Sequence, residues 1–185
     1  MRVVQKQKMW FVFAVIALVM FVTPVSKAQA INSGPTAVTL NATLAESLTL
    51  AVAPTTVTFV LVPSGTANGN SAVSVTTTWV LGPARTSLIT YAYFTSTTAL
   101  VDAGGNIIPT SKFNGSVNAG AYSAFTGGAG PFGVNSKQVY SHGAFAAGQF
   151  NGNHTDTLGL QIDTTGLNLP AGAYTGTLNI QAQAI

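Results

Sequence analysis

His154 and Asp156 are the pair whose residue types and spacing come closest to supporting chemistry. They lie two positions apart, so on a β-strand both side chains point to the same face. Such a pair can supply two metal ligands, or a general base and the carboxylate that orients it. The sequence shows no third ligand nearby, and the pair lies at a predicted strand start beside residues 151–153, Asn-Gly-Asn. We therefore favour a solvated histidine, and the same interpretation applies to the isolated His142.

The common catalytic motifs are missing from the sequence. It contains no Gly-x-Ser-x-Gly, no His-Glu-x-x-His and no phosphate-binding loop. It also has no cysteine, which excludes thiol catalysis, zinc–thiolate sites and disulfides. We expect a protein without catalytic residues, metal or cofactor. A hydrolase built around His154 and Asp156 is the alternative.

Aromatic side chains are concentrated in residues 113–150, which hold seven of the thirteen aromatics that follow residue 30. Sugar rings stack on exposed aromatic faces, while Asn, Ser and Thr supply hydrogen bonds. The region therefore predicts either a carbohydrate-binding platform or, as for most aromatics, rings buried beneath long loops. The candidate platform residues are Tyr122, Phe125, Phe132 and Tyr140.

The segments that position these side chains have the pattern of β-strands. Apolar and polar residues alternate over long Thr- and Val-rich stretches, as in half-buried strands. Strands are predicted at 37–44, 48–52, 57–62, 72–81, 87–95, 138–145, 155–163 and 173–184, with turns at 67–70, 82–83 and 102–106. Short strands at this spacing predict an all-β fold, an immunoglobulin-like antiparallel β-sandwich with long loops, as a single domain over residues 31–185.

Residues 169–174, Leu-Pro-Ala-Gly-Ala-Tyr, are similar to a tyrosine corner, in which a Tyr near the start of strand F bonds to upstream backbone. A simple hairpin that begins with Tyr174 is the alternative. If residues 169–174 form a tyrosine corner, the final strand is strand F, and only about one strand's length of chain follows Tyr174. We then expect the sandwich to lack its own strand G and to expose an acceptor edge lined by Leu178 and Ile180.

A donor for such an edge is also present. Val38, Leu40, Ala42 and Leu44 alternate with polar residues after the flexible segment 32–35. A strand of this kind can add to an exposed edge of another subunit, which gives a head-to-tail polymer. The same strand can instead fold back into its own sandwich and give a self-complete monomer, so both arrangements stay open.

Residues 1–30 have the three parts of a secretory signal peptide. Basic residues come first, an apolar run of 14 residues follows at 9–22, and Ala28-Gln29-Ala30 provides a small-x-small cleavage site. The run is shorter than the roughly 18 residues that a membrane span needs. We expect cleavage after Ala30, with an uncleaved anchor as the alternative. The remaining chain would then have no membrane span and would be secreted or held at the periplasm or outer surface of a bacterium.

After residue 30 the chain carries three basic and four acidic side chains, a formal charge of −1. The +3 of the whole sequence comes from the predicted signal, and no basic cluster remains to bind nucleic acid. A neutral surface rich in Thr and Asn fits a protein that packs against neighbours outside a cell, or a plain secreted domain that uses hydroxyls for solubility. The expected partners are further copies of the chain, related surface subunits or a glycan.

Residues 169–182, Leu-Pro-Ala-Gly-Ala-Tyr-Thr-Gly-Thr-Leu-Asn-Ile-Gln-Ala, resemble the end of spore-coat-U-like and pilin-like sandwich proteins of bacterial surfaces. The exported start and the Thr/Val-rich strands add to this resemblance. It implies an immunoglobulin-like fold and assembly into surface fibres or coats. The chain lacks the cysteine pair that those subunits commonly carry. The resulting expectation is a structural or adhesive surface subunit, with Tyr174 in a structural role.

Overall fold

The computed structural model describes residues 34–126, 132–133 and 135–185. The predicted signal, residues 1–30, lies outside these ranges. The chain divides into two units, Met1–Ala42 and Thr43–Ile185. In the first unit the described residues, 34–42, contain no helix or strand. No helix in the described ranges is long and apolar enough to cross a membrane.

The second unit is built from antiparallel β-strands. In chain order they are β1 (Ser47–Ala53), β2 (Thr66–Asn68), β3 (Val73–Val80), β4 (Leu88–Tyr93), β5 (Thr98–Val101), β6 (Ile107–Pro109), β7 (Phe113–Val117), β8 (Ser123–Ala124), β9 (Ser136–His142), β10 (Asn151–Asp163) and β11 (Asn179–Ala184). One short 3-10 helix, Thr110–Lys112, follows β6. The prediction of an all-β antiparallel fold is therefore confirmed for the described residues.

The strands form two main sheets and a hairpin. The larger sheet has the order β1-β3-β10-β7-β8, with β2 paired to the end of β10. The smaller sheet has the order β11-β4-β9, and β5 pairs with β6. The 13 residues of β10 pair with three different strands, so β10 is the element on which the larger sheet is assembled.

Alternate side chains of the main strands enter a common core. Val75 of β3 and Leu158 of β10 lie in one buried cluster with Ala92 of β4 and Val139 of β9. The cluster therefore contains residues of both sheets. Burying one such large apolar side chain contributes about 1.5–3 kcal/mol, which makes this alternation the main determinant of the fold. A second buried cluster contains Trp79, Leu81 and Leu88.

Several predicted strands need correction. Residues 37–44 form no strand in the structure, and 57–62 make only one isolated bridge, between Phe59 and Gly69. The last strand begins at Asn179 instead of residue 173. Alternation reports that one face of a segment is apolar, but a strand also needs a neighbouring backbone to pair with. The segments that lack such a neighbour remain irregular.

The predicted turn at 102–106 is confirmed. It joins β5 to β6, and the Asp102 carboxylate accepts hydrogen bonds from the backbone N–H groups of Gly104 and Asn106 at 2.9 and 2.7 Å. A hydrogen bond from the Asn106 side chain, together with these backbone bonds, lowers the pKa of Asp102. Gly105 has φ +84°, a conformation that glycine adopts at little cost.

Candidate functional site

An apolar cleft opens beside β11, an edge strand of the smaller sheet. Leu178 and Ile180 line it from the β11 side and Val52 lines it from β1. The cleft has a volume of about 310 Å³. Its deeper lining includes buried core residues, among them Phe113 and Leu160, so the cleft leads directly to the hydrophobic core.

A second cavity, of about 910 Å³, continues the cleft between residues 56–64 and 164–176. The two cavities share five lining residues, Thr56, Val57, Phe59, Leu100 and Gly176. We refer to the two together as the apolar groove. None of its described lining residues carries a charge, so the groove suits apolar side chains on an extended backbone.

The side chains along the groove are only half-buried. The apolar residues that line it and pack against the core without being enclosed are Val52, Val57, Phe59, Leu61, Leu100, Leu167, Leu169, Tyr174, Leu178 and Ile180. Apolar surface left in water forgoes about 25 cal/mol per Å² of burial. The groove is therefore the place where further burial would add most to the stability of the fold.

Both strands beside the cleft are edge strands. β11 pairs with β4, and β1 pairs with β3. Among the described residues neither strand has a second hydrogen-bonded neighbour. The two edges approach to within 8 Å between Cα atoms without pairing. Each edge therefore presents backbone N–H and C=O groups that can pair with an added strand.

Tyr174 fixes the bend that forms one wall of the groove. Its hydroxyl donates a hydrogen bond to the carbonyl oxygen of Pro170, at 3.0 Å. Desolvation, and to a lesser degree the Asp102 carboxylate, raises the pKa of Tyr174, which keeps the hydroxyl a donor. The next residue, Thr175, exchanges two backbone hydrogen bonds with Val101, each at 2.9 Å. The bend is thus tied to the β5–β6 hairpin.

Gly176 allows this wall to approach β5 closely. A Cβ at this position would collide with the carbonyl oxygen of Ala99 and would lie 2.9 Å from Leu100 Cδ2. The backbone here therefore needs a residue without a side chain. Sequence reasoning missed Gly176, although its place beside the predicted acceptor edge was a usable signal.

The predicted donor residues lie in exposed chain. Val38, Leu40 and Leu44 are 78%, 89% and 81% exposed, and Ala42 is exposed as well. Large apolar side chains are rarely exposed as a regular series without a partner. The structure thus places the predicted acceptor residues on the groove and leaves the predicted donor residues exposed.

The four rings of the predicted glycan platform are separated in the structure. Tyr122 is 43% exposed, with its hydroxyl beside Gly159 of β10. Phe125 is 3% exposed and makes an edge contact with Phe94, at 5.4 Å between ring centres. The assignment of Phe125 to an exposed platform is therefore wrong, because its ring completes the core.

The other two rings lie in different surroundings. Phe132 covers Tyr91 and Tyr93 of β4, at 5.2 and 5.4 Å between ring centres. Tyr140 of β9 stacks on His154 of β10 at 4.3 Å. Whether four separate rings form one surface depends on how the sheets pack, which the sequence did not show.

His154 and Asp156 are in contact, as the spacing predicted. His154 Nε2 lies 3.2 Å from Asp156 Oδ1, which also accepts a hydrogen bond from Asn118 Nδ2 at 2.6 Å. The Asp156 side chain is 5% exposed and the His154 side chain 45%. Within the described ranges, no group of three acidic or histidine side chains is suited to hold a metal ion. Because the His154 ring stacks on Tyr140, the pair joins β10 to β9.

No protein-family model matches the chain, and the search of curated proteins finds no match. The functional assignment therefore rests on the contacts described above.

Proposed function

We propose that this chain is an exported, non-catalytic subunit of a bacterial surface assembly, with a structural or adhesive role. The observation that carries the proposal is the apolar groove beside the unpaired edge of β11. A fold with half-buried core side chains along an open edge gains stability from one more strand. The signal-like segment at residues 1–30 supports export, and the packing of His154 on Tyr140 supports a role for that pair in stability.

An immunoglobulin-like sandwich is the architecture that best accounts for the two sheets. Side chains from both sheets share one core cluster, as in a sandwich whose layers pack face to face. The bond from Tyr174 to Pro170 is the kind of bond that defines a tyrosine corner. Both features support the resemblance to spore-coat-U-like and pilin-like subunits.

The segment 38–44 of a second copy is the proposed occupant of the groove. Its alternate residues Val38, Leu40, Ala42 and Leu44 place four apolar side chains on one face of an extended backbone, spaced about 6.6 Å apart. Each large side chain that becomes buried contributes about 1.5–3 kcal/mol. Backbone pairing with β11 adds hydrogen bonds and sets the register.

Insertion also requires a rearrangement. A strand placed between β1 and β11 needs the two edges about 10 Å apart, because neighbouring strands are spaced about 4.8 Å. The present approach of these edges to within 8 Å is closer than that. We therefore expect β1, or the irregular segment 54–65 that follows it, to move outward when the donor enters.

The experiment compares two substitutions on opposite faces of the donor. The protein is expressed with its own N-terminal segment, and its mass in solution is measured by light scattering after size-exclusion chromatography. We expect oligomers for the unaltered protein and for Thr39→Asp. Leu40→Asp should give monomers, because its charge would enter the groove. Leu40 is 89% exposed, so the substitution leaves the monomer folded.

A synthetic peptide of residues 36–46 separates loss of the donor from loss of the acceptor. The Leu40→Asp monomer keeps its groove and should bind this peptide, with native mass spectrometry as the measurement. A peptide that carries the same Leu40→Asp change should not bind. Unaltered protein that stays monomeric at every concentration reached, with no peptide binding, would show that the assembly proposal is wrong.

A further inference from the structure

The outer face of the smaller sheet lies opposite the apolar groove and forms a further cavity. Ile180 of β11 packs against the core, so the neighbouring residues Gln181 and Gln183 face the other way. On β4 the same alternation turns Tyr91 and Tyr93 to this outer face. The result is a column of tyrosines beside a column of glutamines.

A cavity of about 430 Å³ lies on this face. Its lining residues include Tyr93, Phe132, Asn135, Gln181 and Gln183. None of the described lining residues is charged. A volume of this order lies within the roughly 300–1,000 Å³ of small-molecule sites, and the uncharged lining disfavours phosphate or carboxylate ligands.

The Gln181 amide of the cavity is oriented by a tyrosine hydroxyl. Tyr93 donates its hydroxyl hydrogen to Gln181 Oε1 at 3.0 Å, which leaves the Gln181 amide N–H groups as donors. Tyr91 holds Gln138 in the same way, at 3.1 Å. Ring faces and fixed amide groups side by side are the combination that binds a sugar, whose C–H face stacks and whose hydroxyls form hydrogen bonds.

Gln183 supplies the observation that points to a ligand. Its side-chain oxygen Oε1 is buried and has no hydrogen-bond partner among the described residues. A buried acceptor without a donor is unfavourable, so proteins rarely keep one without a reason. If the Gln183 side chain turns into the cavity, a ligand hydroxyl can donate to this oxygen and offset the cost.

We infer that this cavity binds one unit of an uncharged saccharide. The sugar ring stacks on the exposed part of Tyr93 and Phe132, and its hydroxyls bond to the Gln181 and Gln183 amides. The site needs no second copy of the chain, so it stands apart from the assembly proposed above. In an assembled fibre, repeated copies would raise the avidity for a glycan-covered surface.

The test uses an array of neutral, sialylated and sulfated glycans, followed by calorimetry with the strongest neutral ligand. We expect binding to neutral glycans. Gln183→Leu should weaken binding at least about tenfold, the equivalent of 1.4 kcal/mol, while the fold is kept because the change removes an unsatisfied acceptor. Tyr122→Ala, at an exposed ring beside Gly159 of the larger sheet, is the control and should bind like the unaltered protein.

Two further variants keep the test decisive. Gln181→Ala, at an exposed position, should also lose binding, so a failure of Gln183→Leu to fold would not end the test. The Leu40→Asp monomer should bind as well per site as the unaltered protein, which separates this inference from the assembly proposal. Binding to acidic glycans alone, no glycan binding at all, or full binding by Gln181→Ala and a folded Gln183→Leu would each overturn the inference.

Discussion

The Tyr174 hydroxyl donates to the Pro170 carbonyl oxygen at 3.0 Å, four residues upstream. This bond holds the bend at residues 170–174. From the bend the chain continues along the wall of the apolar groove and then into β11. The side chain is neutral at ordinary pH, and its raised pKa means that the folded state favours the neutral form. The Tyr174 hydroxyl therefore remains a hydrogen-bond donor to the bend until the pH becomes strongly alkaline.

Tyr174→Phe should lower the free energy of unfolding by the loss of one hydrogen bond. Because the folded pKa lies above the unfolded value of 10.0, the contribution is fully present below pH 10. It disappears as the pH rises through the folded pKa. Urea unfolding of both proteins at pH 7 and in alkali checks this, with Tyr122→Phe as the control. An equal difference at both pH values would contradict it.

Glu46→Gln should weaken the start of β1 at neutral pH. The carboxylate accepts from Arg85 Nη2 at 2.9 Å and from the Gly82 N–H, and the hydrogen bond from Arg85 contributes most to lowering its pKa. With the folded pKa below 4.5, the stabilisation is present above pH 4.5 and is lost as the pH falls through the folded value.

Thermal unfolding of Glu46→Gln and the unaltered protein, at pH 7 and in acid, measures this effect. The difference in melting temperature should shrink in acid and in high salt, because the pair is exposed and screened. A difference in melting temperature that depends on neither pH nor salt would show that the substitution acts through packing.

Leu158→Ala should destabilise the second unit by about 2–5 kcal/mol, through lost burial and the cavity left behind. Leu158 is 0% exposed at the centre of β10. Val60→Ala is the matched control at 86% exposure and should change stability by at most about 0.5 kcal/mol. Chemical denaturation followed by tryptophan fluorescence gives both values, and similar losses for the two variants would refute the assigned core.

Gly176→Ala should cost at least about 1–3 kcal/mol, because the added methyl group meets backbone that has no room to relax. Gly143 is the comparison, since a Cβ there meets nothing within 4 Å, and Gly143→Ala should be nearly neutral. Gly176→Ala should also lose the binding of peptide 36–46. A tolerated Gly176→Ala with intact peptide binding would show that the groove wall is not as close to β5 as described.

Part of this fold could be predicted from the sequence, since some strands are both alternating and paired. Val73 and Val75 of β3 alternate with polar residues and are buried, as the pattern indicated. β7, Phe113–Val117, was missed because its Asn, Gly and Ser resemble a loop. Segment 57–62 was overpredicted because its alternation serves burial in the groove, and its pairing is limited to the single bridge between Phe59 and Gly69.

The site was predictable to a similar extent. Leu178 and Ile180 could be placed beside an edge because they follow the bend at Tyr174 closely along the chain, although the strand itself begins only at Asn179. The burial of Phe125 and the grouping of Phe132 with Tyr91 depend on which sheet covers which. Such contacts join residues far apart in sequence, and a single sequence gives no measure of them.

The central position of β10 has a consequence for how the protein folds. Thr76 of β3 and Thr155 of β10 share a hydrogen bond across 79 positions of the chain. Contacts of such long range slow folding, commonly to milliseconds or seconds. Until β10 has been synthesised, the earlier strands of the larger sheet have open edges and are exposed to aggregation. The interval between the synthesis of β3 and the synthesis of β10 is therefore the period in which this chain is most prone to aggregate.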